Sequence, residues 1–222
     1  LLGIDKNMLP VDLIIFDLDG TLIDSRQDIA NAVNFSLNKV GRGEKTIAEI
    51  SSYIGMGLDD LIRKSLGESK SHLFDKAKAR FEEYYREHCT DNSVLYPQVR
   101  ETLEYFRNKR KIIITNRNYE FARLALKATG ISGYFEAIMG GDDVGCMKPS
   151  SCPLDKLMHK FNINNKQKAI IVGDMDIDVL TGRAAGIITC AVTYGIGRKE
   201  QIVKAKPDYI IDNLRQLKDI IN

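Results

Sequence analysis

The chain has 222 residues, 44% of them hydrophobic and 28% charged, which is enough apolar material for a sizeable core. A formal net charge of +2 argues against a dedicated nucleic-acid surface. No apolar stretch reaches the length of a membrane span, so no membrane partner is expected. Leu1-Leu2-Gly3-Ile4 is too short for a signal-peptide core, and because residue 1 is not Met, Met8 is a candidate initiator. The four cysteines, Cys89, Cys146, Cys152 and Cys190, form no Cys-x-x-Cys pair and no zinc-ligand spacing with His72, His88 or His159. Reduced thiols in a cytoplasmic protein are the expectation.

In chain order, Leu13–Phe16 is a short apolar run that predicts a buried strand. It runs straight into Asp17-Leu18-Asp19-Gly20-Thr21. From there to about residue 92 the pattern is helical: Ile29, Val33, Leu37 and Val40 share one face until Gly41-Arg42-Gly43 breaks the run. A second helix is predicted over Leu58–Leu66, and a third carries Phe74, Ala77, Phe81 and Tyr84 or Tyr85. From Pro97 strands and helices alternate. A helix is predicted from Pro97 to about Lys109, followed by strand Lys111–Thr115, helix Glu120–Thr129 and strand Phe135–Met139. Helix Pro153–Phe161, strand Ala169–Val172, helix Asp176–Ala185, strand Ile187–Val192, strand Tyr209–Ile211 and helix Leu214–Ile221 complete the chain. The basic run Asn108–Lys111 is expected to cap a solvated helix end. This alternation predicts an α/β fold, a doubly wound parallel sheet covered on both faces. Residues 1–24 and 93–222 form that core, and residues 25–92 are an inserted all-helical cap.

Asp17 and Asp19 are the informative pair. Buried carboxylates need neutralising, and two like charges ~4 Å apart repel by about 4 kcal/mol at an effective dielectric of ~20. A hard divalent cation, Mg²⁺ above all, answers that need; a plain polar Asp-Gly turn is the structural alternative. Ligands in open parallel sheets bind beyond the carboxyl ends of the strands, and the other chemistry-bearing residues, Thr115-Asn116, Lys148 and Gly173-Asp174, fall at such ends. Residues i and i+2 of an extended chain face the same side, so Asp17 and Asp19 can reach one substrate. Asp17 is the candidate nucleophile on phosphorus, and Asp19 the general acid and then base. Asp174 is the further metal carboxylate, and Asp178 sits one helical turn behind it. Lys148 balances charge, although an ordinary surface lysine is the plainer reading of any single lysine. Thr115 offers a hydroxyl and a strand-end amide to a phosphate oxygen. In the cap, the Gly55-Met56-Gly57 turn and Arg63 are candidate substrate contacts, and Tyr84-Tyr85 reads as core.

These residues carry a family resemblance. The chain resembles haloacid-dehalogenase-superfamily phosphohydrolases with a helical cap, through Asp17-Leu18-Asp19-Gly20-Thr21, Thr115-Asn116, Lys148-Pro149 and Gly173-Asp174-x-x-x-Asp178. Within them it most resembles the phosphoglycolate phosphatases, supported by Gly140-Gly141-Asp142-Asp143, by Thr193-Tyr194-Gly195 with Gly197, and by Pro207-Asp208-Tyr209. The resemblance implies a Rossmann-like core, catalysis by Asp17, Asp19, Thr115 and Lys148, and substrate contacts from Gly20, Thr115, Asn116 and Lys148. It implies Mg²⁺ on Asp17, Asp19 and Asp174, with Asp178 just behind. It also implies a small phosphorylated metabolite as partner. Arg117 stands where relatives often carry Lys, and Ser150-Ser151 where a second proline is usual. Asp176 reads as a helix-start residue.

Three functions from two classes follow. A Mg²⁺-dependent phosphatase working through an aspartyl phosphate leads. A sugar-phosphate mutase or pyrophosphatase on the same scaffold is the alternative. A non-catalytic binding module is disfavoured by the survival of every reactive group, and a dehalogenase by Asp19. Monomer and homodimer are both left open.

Overall fold

The computed structural model describes residues 8–67, 72–143, 145–163 and 165–222, so the Leu1–Ile4 segment lies outside the described residues. The chain opens with β1 (Leu13–Phe16) and the short β2 (Ile23–Asp24), then α1 (Arg26–Lys39), α2 (Ile47–Ser51), α3 (Gly57–Leu66) and α4 (Phe74–His88). The second stretch holds β3 (Val94–Leu95), α5 (Val99–Tyr105), β4 (Arg110–Ile114), α6 (Tyr119–Ala128), β5 (Ala137–Met139) and α7 (Cys152–Lys160). The last is β6 (Ala169–Gly173), α8 (Asp176–Ala185), β7 (Ile188–Val192), α9 (Lys199–Ala205), β8 (Tyr209–Ile211) and α10 (Leu217–Ile220).

One six-stranded sheet runs in the order β5-β4-β1-β6-β7-β8, parallel throughout. The chain winds outward from β1 to β4 and β5, then crosses back to β6 and continues the other way. The winding reverses between β1 and β6, where an open sheet leaves a crevice at its carboxyl edge. β1 is buried on both faces, as an interior parallel strand must be. Ile14 and Phe16 pack with Leu103, Ile113 and Val172 on one side. Leu13 and Ile15 pack with Ile112, Leu154 and Ile171 on the other. The period-two alternation of strand side chains is the cause.

Helices α1 to α4 share a hydrophobic cluster of their own, built on Ile29, Val33, Leu37, Leu58, Ile62, Phe81 and Tyr85, which Phe121 of α6 joins from the sheet side. β2 and β3 pair antiparallel at the root of this block. That ribbon is too short to leave a periodic signal, as is the five-residue α2, whose Thr46 side chain caps it by accepting from the Glu49 amide. Helix α9 is a further element the apolar pattern did not predict.

Several expectations are corrected. Helix α5 starts at Val99 rather than Pro97, because Gln98 adopts φ 65 and cannot begin a right-handed helix. Lys111 is buried within β4, and its Nζ donates to the carbonyls of Phe106 (2.5 Å) and Lys109 (2.9 Å), so it closes the end of α5 from inside the core rather than in solvent. The closing helix is a 3₁₀ turn, Leu214–Gln216, running into the short α10. The expectation of reduced thiols fails at one pair: Cys146 and Cys152 form a disulfide, while Cys89 and Cys190 are free and buried. Spacing could not reveal that pair, since the fold of the Lys148 loop is what brings the two together. Among the described residues no helix is long and apolar enough to cross a membrane.

Candidate active site

Asp17 is the first residue past β1, held in place by its amide on Val172 O at 2.9 Å, and Asp174 is the first past β6. Both face the crevice where the winding reverses. Lys148, 1% exposed, reaches in from the loop before α7 and places its Nζ 2.6 Å from Asp17 Oδ1 and 2.6 Å from Asp178 Oδ1. Carboxylate oxygens of Asp17, Asp174 and Asp178 all lie within 4.8 Å of one another. Burial pushes the Asp17 carboxyl well above its ordinary range; Lys148 opposes this, and Asp178 and Asp174 add to it. Asp174 is pushed up to about 7 by burial and by Asp178, against hydrogen bonds from Gly197, Ile196 and Thr21. Burial alone would lower the Lys148 ammonium, but Asp17 and Asp178 outweigh it and hold it above its usual value. Three buried carboxylates facing one lysine leave surplus negative charge. An all-oxygen donor set of this kind fits a hard divalent cation.

The cluster differs from the expected ligand set in two places. Asp178, expected just behind the metal, lies within it, because the first turn of α8 folds back over the Asp174 turn. Its Oδ2 accepts from the Met175 amide at 3.0 Å, which aims Oδ1 at Lys148. The Asp19 carboxylate turns away, its Oδ1 accepting from Ser25 Oγ at 2.5 Å and pairing with Arg117 Nη2 at 2.8 Å. Asp176 takes no part in the cluster.

Asp174 sits in a cradle. Thr21 Oγ1 donates to its Oδ1 at 3.0 Å, and the amides of Ile196 and Gly197 donate to Oδ2 at 2.7 and 3.1 Å. Gly20 adopts φ +86, and a Cβ there would lie 2.1 Å from Asp174 Oδ2. A Cβ on Gly197 would lie 1.9 Å from Asp174 O. These two glycines therefore permit the approach of the first-strand loop and the β7 loop to Asp174.

The predicted substrate contacts divide. The Gly20 amide is engaged by Ile23 O at 2.9 Å, and the Thr115 amide by Met139 O at 3.0 Å, so neither is free for a phosphate. Thr115 Oγ1 remains in the cleft and accepts from the Arg117 amide at 3.1 Å. The Asn116 side chain is a clasp. Its Oδ1 accepts from the Lys148 amide, and its Nδ2 donates to Lys148 O and to Gly55 O in the helical block. Arg63 stacks 4.0 Å over the Phe74 ring and does not line the cleft.

The cleft between sheet and helical block has about 620 Å³ of atom-free space, part of it open to solvent. Its floor is Asp17, Asp19, Thr115, Asn116 and Lys148, and its far wall is largely apolar. Two residues emerge that sequence reasoning underrated. Arg117 is more than a departure from a common Lys, and Tyr85 is core as expected, 2% exposed, yet its hydroxyl also meets Arg117. Arg117 Nη2 also donates to Tyr85 Oη at 2.6 Å, joining Asp19 to α4. Burial opposes the Arg117 charge, but Asp19 and Tyr85 outweigh it and hold the guanidinium pKa up. Burial likewise raises the Tyr85 phenol, which stays protonated.

The family model for haloacid dehalogenase-like hydrolases matches residues 14–192. The chain is 34% identical over 220 residues to a phosphoglycolate phosphatase of Vibrio vulnificus, covering 95% of this chain and 96% of that protein. It is 34% identical over 225 residues to a phosphoglycolate phosphatase of Photobacterium profundum, covering 97% and 98%. Among solved structures, a predicted phosphoglycolate phosphatase from Haemophilus somnus superposes with a TM-score of 0.90 at 30% identity, covering 96% of this chain and 98% of that one.

Proposed function

Because the chain belongs to the haloacid dehalogenase-like hydrolases, we propose that it is a Mg²⁺-dependent phosphatase. It hydrolyses a small phosphate monoester of the phosphoglycolate kind through an aspartyl phosphate. The observation that carries this reading is Lys148 bonded at once to Asp17 and Asp178, with Asp174 beside them. A nucleophilic carboxylate, its counter-charge and an oxygen-donor metal site share one buried spot.

Asp17 attacks phosphorus, and the bond from phosphorus to the leaving oxygen breaks. Asp19 gives that oxygen a proton, then takes one from the water that cleaves the acyl phosphate. Both contacts of Asp19 use Oδ1, which leaves Oδ2 for that transfer. Lys148 favours the ionised form of Asp17 against its burial and steadies the added charge, and the Thr115 hydroxyl donates to a phosphoryl oxygen. Asp17, Asp174 and Asp178 would hold Mg²⁺, which when bound neutralises their charge and polarises the phosphoryl group. Residues 25–92 act as a cap that excludes bulk water and selects the leaving group. The apolar far wall offers the hydroxyls of a sugar few partners, which favours a phosphatase for compact esters over a sugar-phosphate mutase.

The test is a hydrolysis screen over phosphoglycolate, sugar phosphates, nucleotides and pyrophosphate, with Mg²⁺ and with EDTA, on wild type and Asp17→Asn. Turnover that needs Mg²⁺ and vanishes in the folded variant is expected. Residual activity within about tenfold of wild type, only ~1.4 kcal/mol in barrier, would sink the assignment of Asp17.

A further inference from the structure

We propose that Arg117 is the specificity-determining residue of the cleft and that its Nη1 binds a second anionic group carried by the leaving part of the substrate. The inference rests on the phosphatase reading above and deepens it. The arginine side chain is only 5% exposed, yet Nη1 is buried without a hydrogen-bond partner among the described residues, while Nη2 is engaged by both Asp19 and Tyr85. A guanidinium N–H taken out of water and left unmade is costly, and native structures avoid it unless something else supplies the acceptor. Arg117 lines the cleft, so the missing acceptor is one a bound molecule can bring.

Charge narrows the choice. The cations lining the cleft are Lys148 and Arg117. Lys148 is already shared between Asp17 and Asp178 at 2.6 Å each, which leaves Arg117 to meet any charge beyond the transferred phosphoryl group. The wall around it is apolar, with Ile29, Leu58, Leu61, Phe81 and Phe121. Those five side chains offer a polyhydroxylated leaving group no hydrogen-bond partner, and a neutral polar one packed on them would lose its hydration without adequate return. A single compact anion on an otherwise small leaving group satisfies both Nη1 and the apolar surround.

Distance sets the size. Nη2 of the same guanidinium lies 2.8 Å from Asp19, the proposed proton donor to the leaving oxygen. An anion seated on Nη1 is therefore one guanidinium width from the acid. That spacing suits a charge one or two carbons from the ester oxygen and not a longer chain. Tyr85 steadies Nη2 from α4, so the anion site is shared between sheet and helical block.

The experiment compares kcat/KM for 2-phosphoglycolate with that for its neutral amide, glycolamide phosphate, and for ethylene glycol bisphosphate. The first and third carry the second charge as a carboxylate and as a phosphate, which separates the two sources of anion. Wild type should prefer at least one charged ester over the amide by on the order of 10²-fold, as buried donors left unmatched discriminate strongly. Arg117→Met should collapse that ratio towards one, and Arg117→Lys should keep part of it. A general loss of Asp19 positioning lowers all three rates together and leaves the ratio unchanged. If Arg117→Met does not fold, Tyr85→Phe and the wild-type ratio still decide. No preference in wild type, or a ratio untouched by the folded variants, overturns the inference while leaving the phosphatase reading intact. Failure of every ester to turn over instead overturns the phosphatase reading and, with it, this inference.

Discussion

Asn116 clasps both peptide groups of Lys148: its Oδ1 accepts from the Lys148 amide at 2.9 Å and its Nδ2 donates to the Lys148 carbonyl at 3.0 Å. The lysine that pairs with Asp17 is thus placed by a side chain from the turn after β4. The same Nδ2 reaches Gly55 O at 2.8 Å, so one amide ties the sheet, the lysine loop and the helical block together.

Asn116→Ala should therefore cost both activity and stability. It strands buried amide and carbonyl groups, each worth about 1–3 kcal/mol when left unmade. Displacement of Lys148 by even ~1 Å is expected to lower kcat/KM by about 10²-fold. Thermal melts and steady-state kinetics on the purified variant check both. A variant with wild-type kcat/KM would show that Lys148 needs no such support.

Gly20→Ala should disable the proposed metal site without removing a charged group. Its Cβ would press on Asp174 Oδ2, and φ +86 is strained for any residue with a Cβ. The backbone strain alone is about 1–2 kcal/mol. Isothermal titration with Mg²⁺ should show affinity reduced by at least about tenfold, given how closely ligand geometry governs Mg²⁺ binding. Unchanged affinity would mean that Asp174 does not hold the ion.

The stability of the metal-stripped protein should fall as pH rises. Asp174 is pushed up to about 7, and Asp17 shifts the same way, while an unfolded carboxylate titrates near ~3.9. A folded-state pKa above the unfolded one contributes stability that is present at low pH and lost as pH climbs through the folded value. The window runs from about pH 4 to pH 7. Mg²⁺ held by these carboxylates would displace those protons, so its stabilising effect should be larger at pH 8 than at pH 5.5. Melting curves with EDTA and with Mg²⁺ at both values are the measurement, and equal Mg²⁺ shifts would contradict it.

Reduction of the Cys146–Cys152 disulfide should destabilise the protein modestly. Closing this loop, with a sequence separation of 6, is worth about 2 kcal/mol on chain-entropy grounds. In a chain of this length that is a loss of about 4–8 °C in Tm. Because Asn116 holds Lys148 independently, kcat/KM should fall less than in Asn116→Ala. Melting and kinetics with and without a thiol reductant, with free thiols counted, test the order.

Much of the molecule was legible before any coordinates. The alternation of apolar runs marked six of the eight strands among the described residues, and the period-3.6 faces marked α1, α3 and α4. The carboxylates and the lysine were found because they sit where strands end, which is a local property of the chain. β2, β3 and α2 were not legible, since elements of two to five residues carry too little periodicity to register.

By itself, then, the sequence determined the α/β class, the run of helices between β2 and β3 and where the candidate reactive side chains fall along the chain, because strand and helix periods and motif spacing are short-range signals. Only the tertiary structure decided which groups meet. Lys148 reaches Asp17 across 131 positions of chain, and Arg117 meets both Asp19 and Tyr85 from a third element. It brought Asp178 into the carboxylate cluster, consumed the amides of Gly20 and Thr115, buried Lys111 and joined Cys146 to Cys152. Such contacts depend on strand order and on how loops pack at one sheet edge. Periodicity carries no record of either.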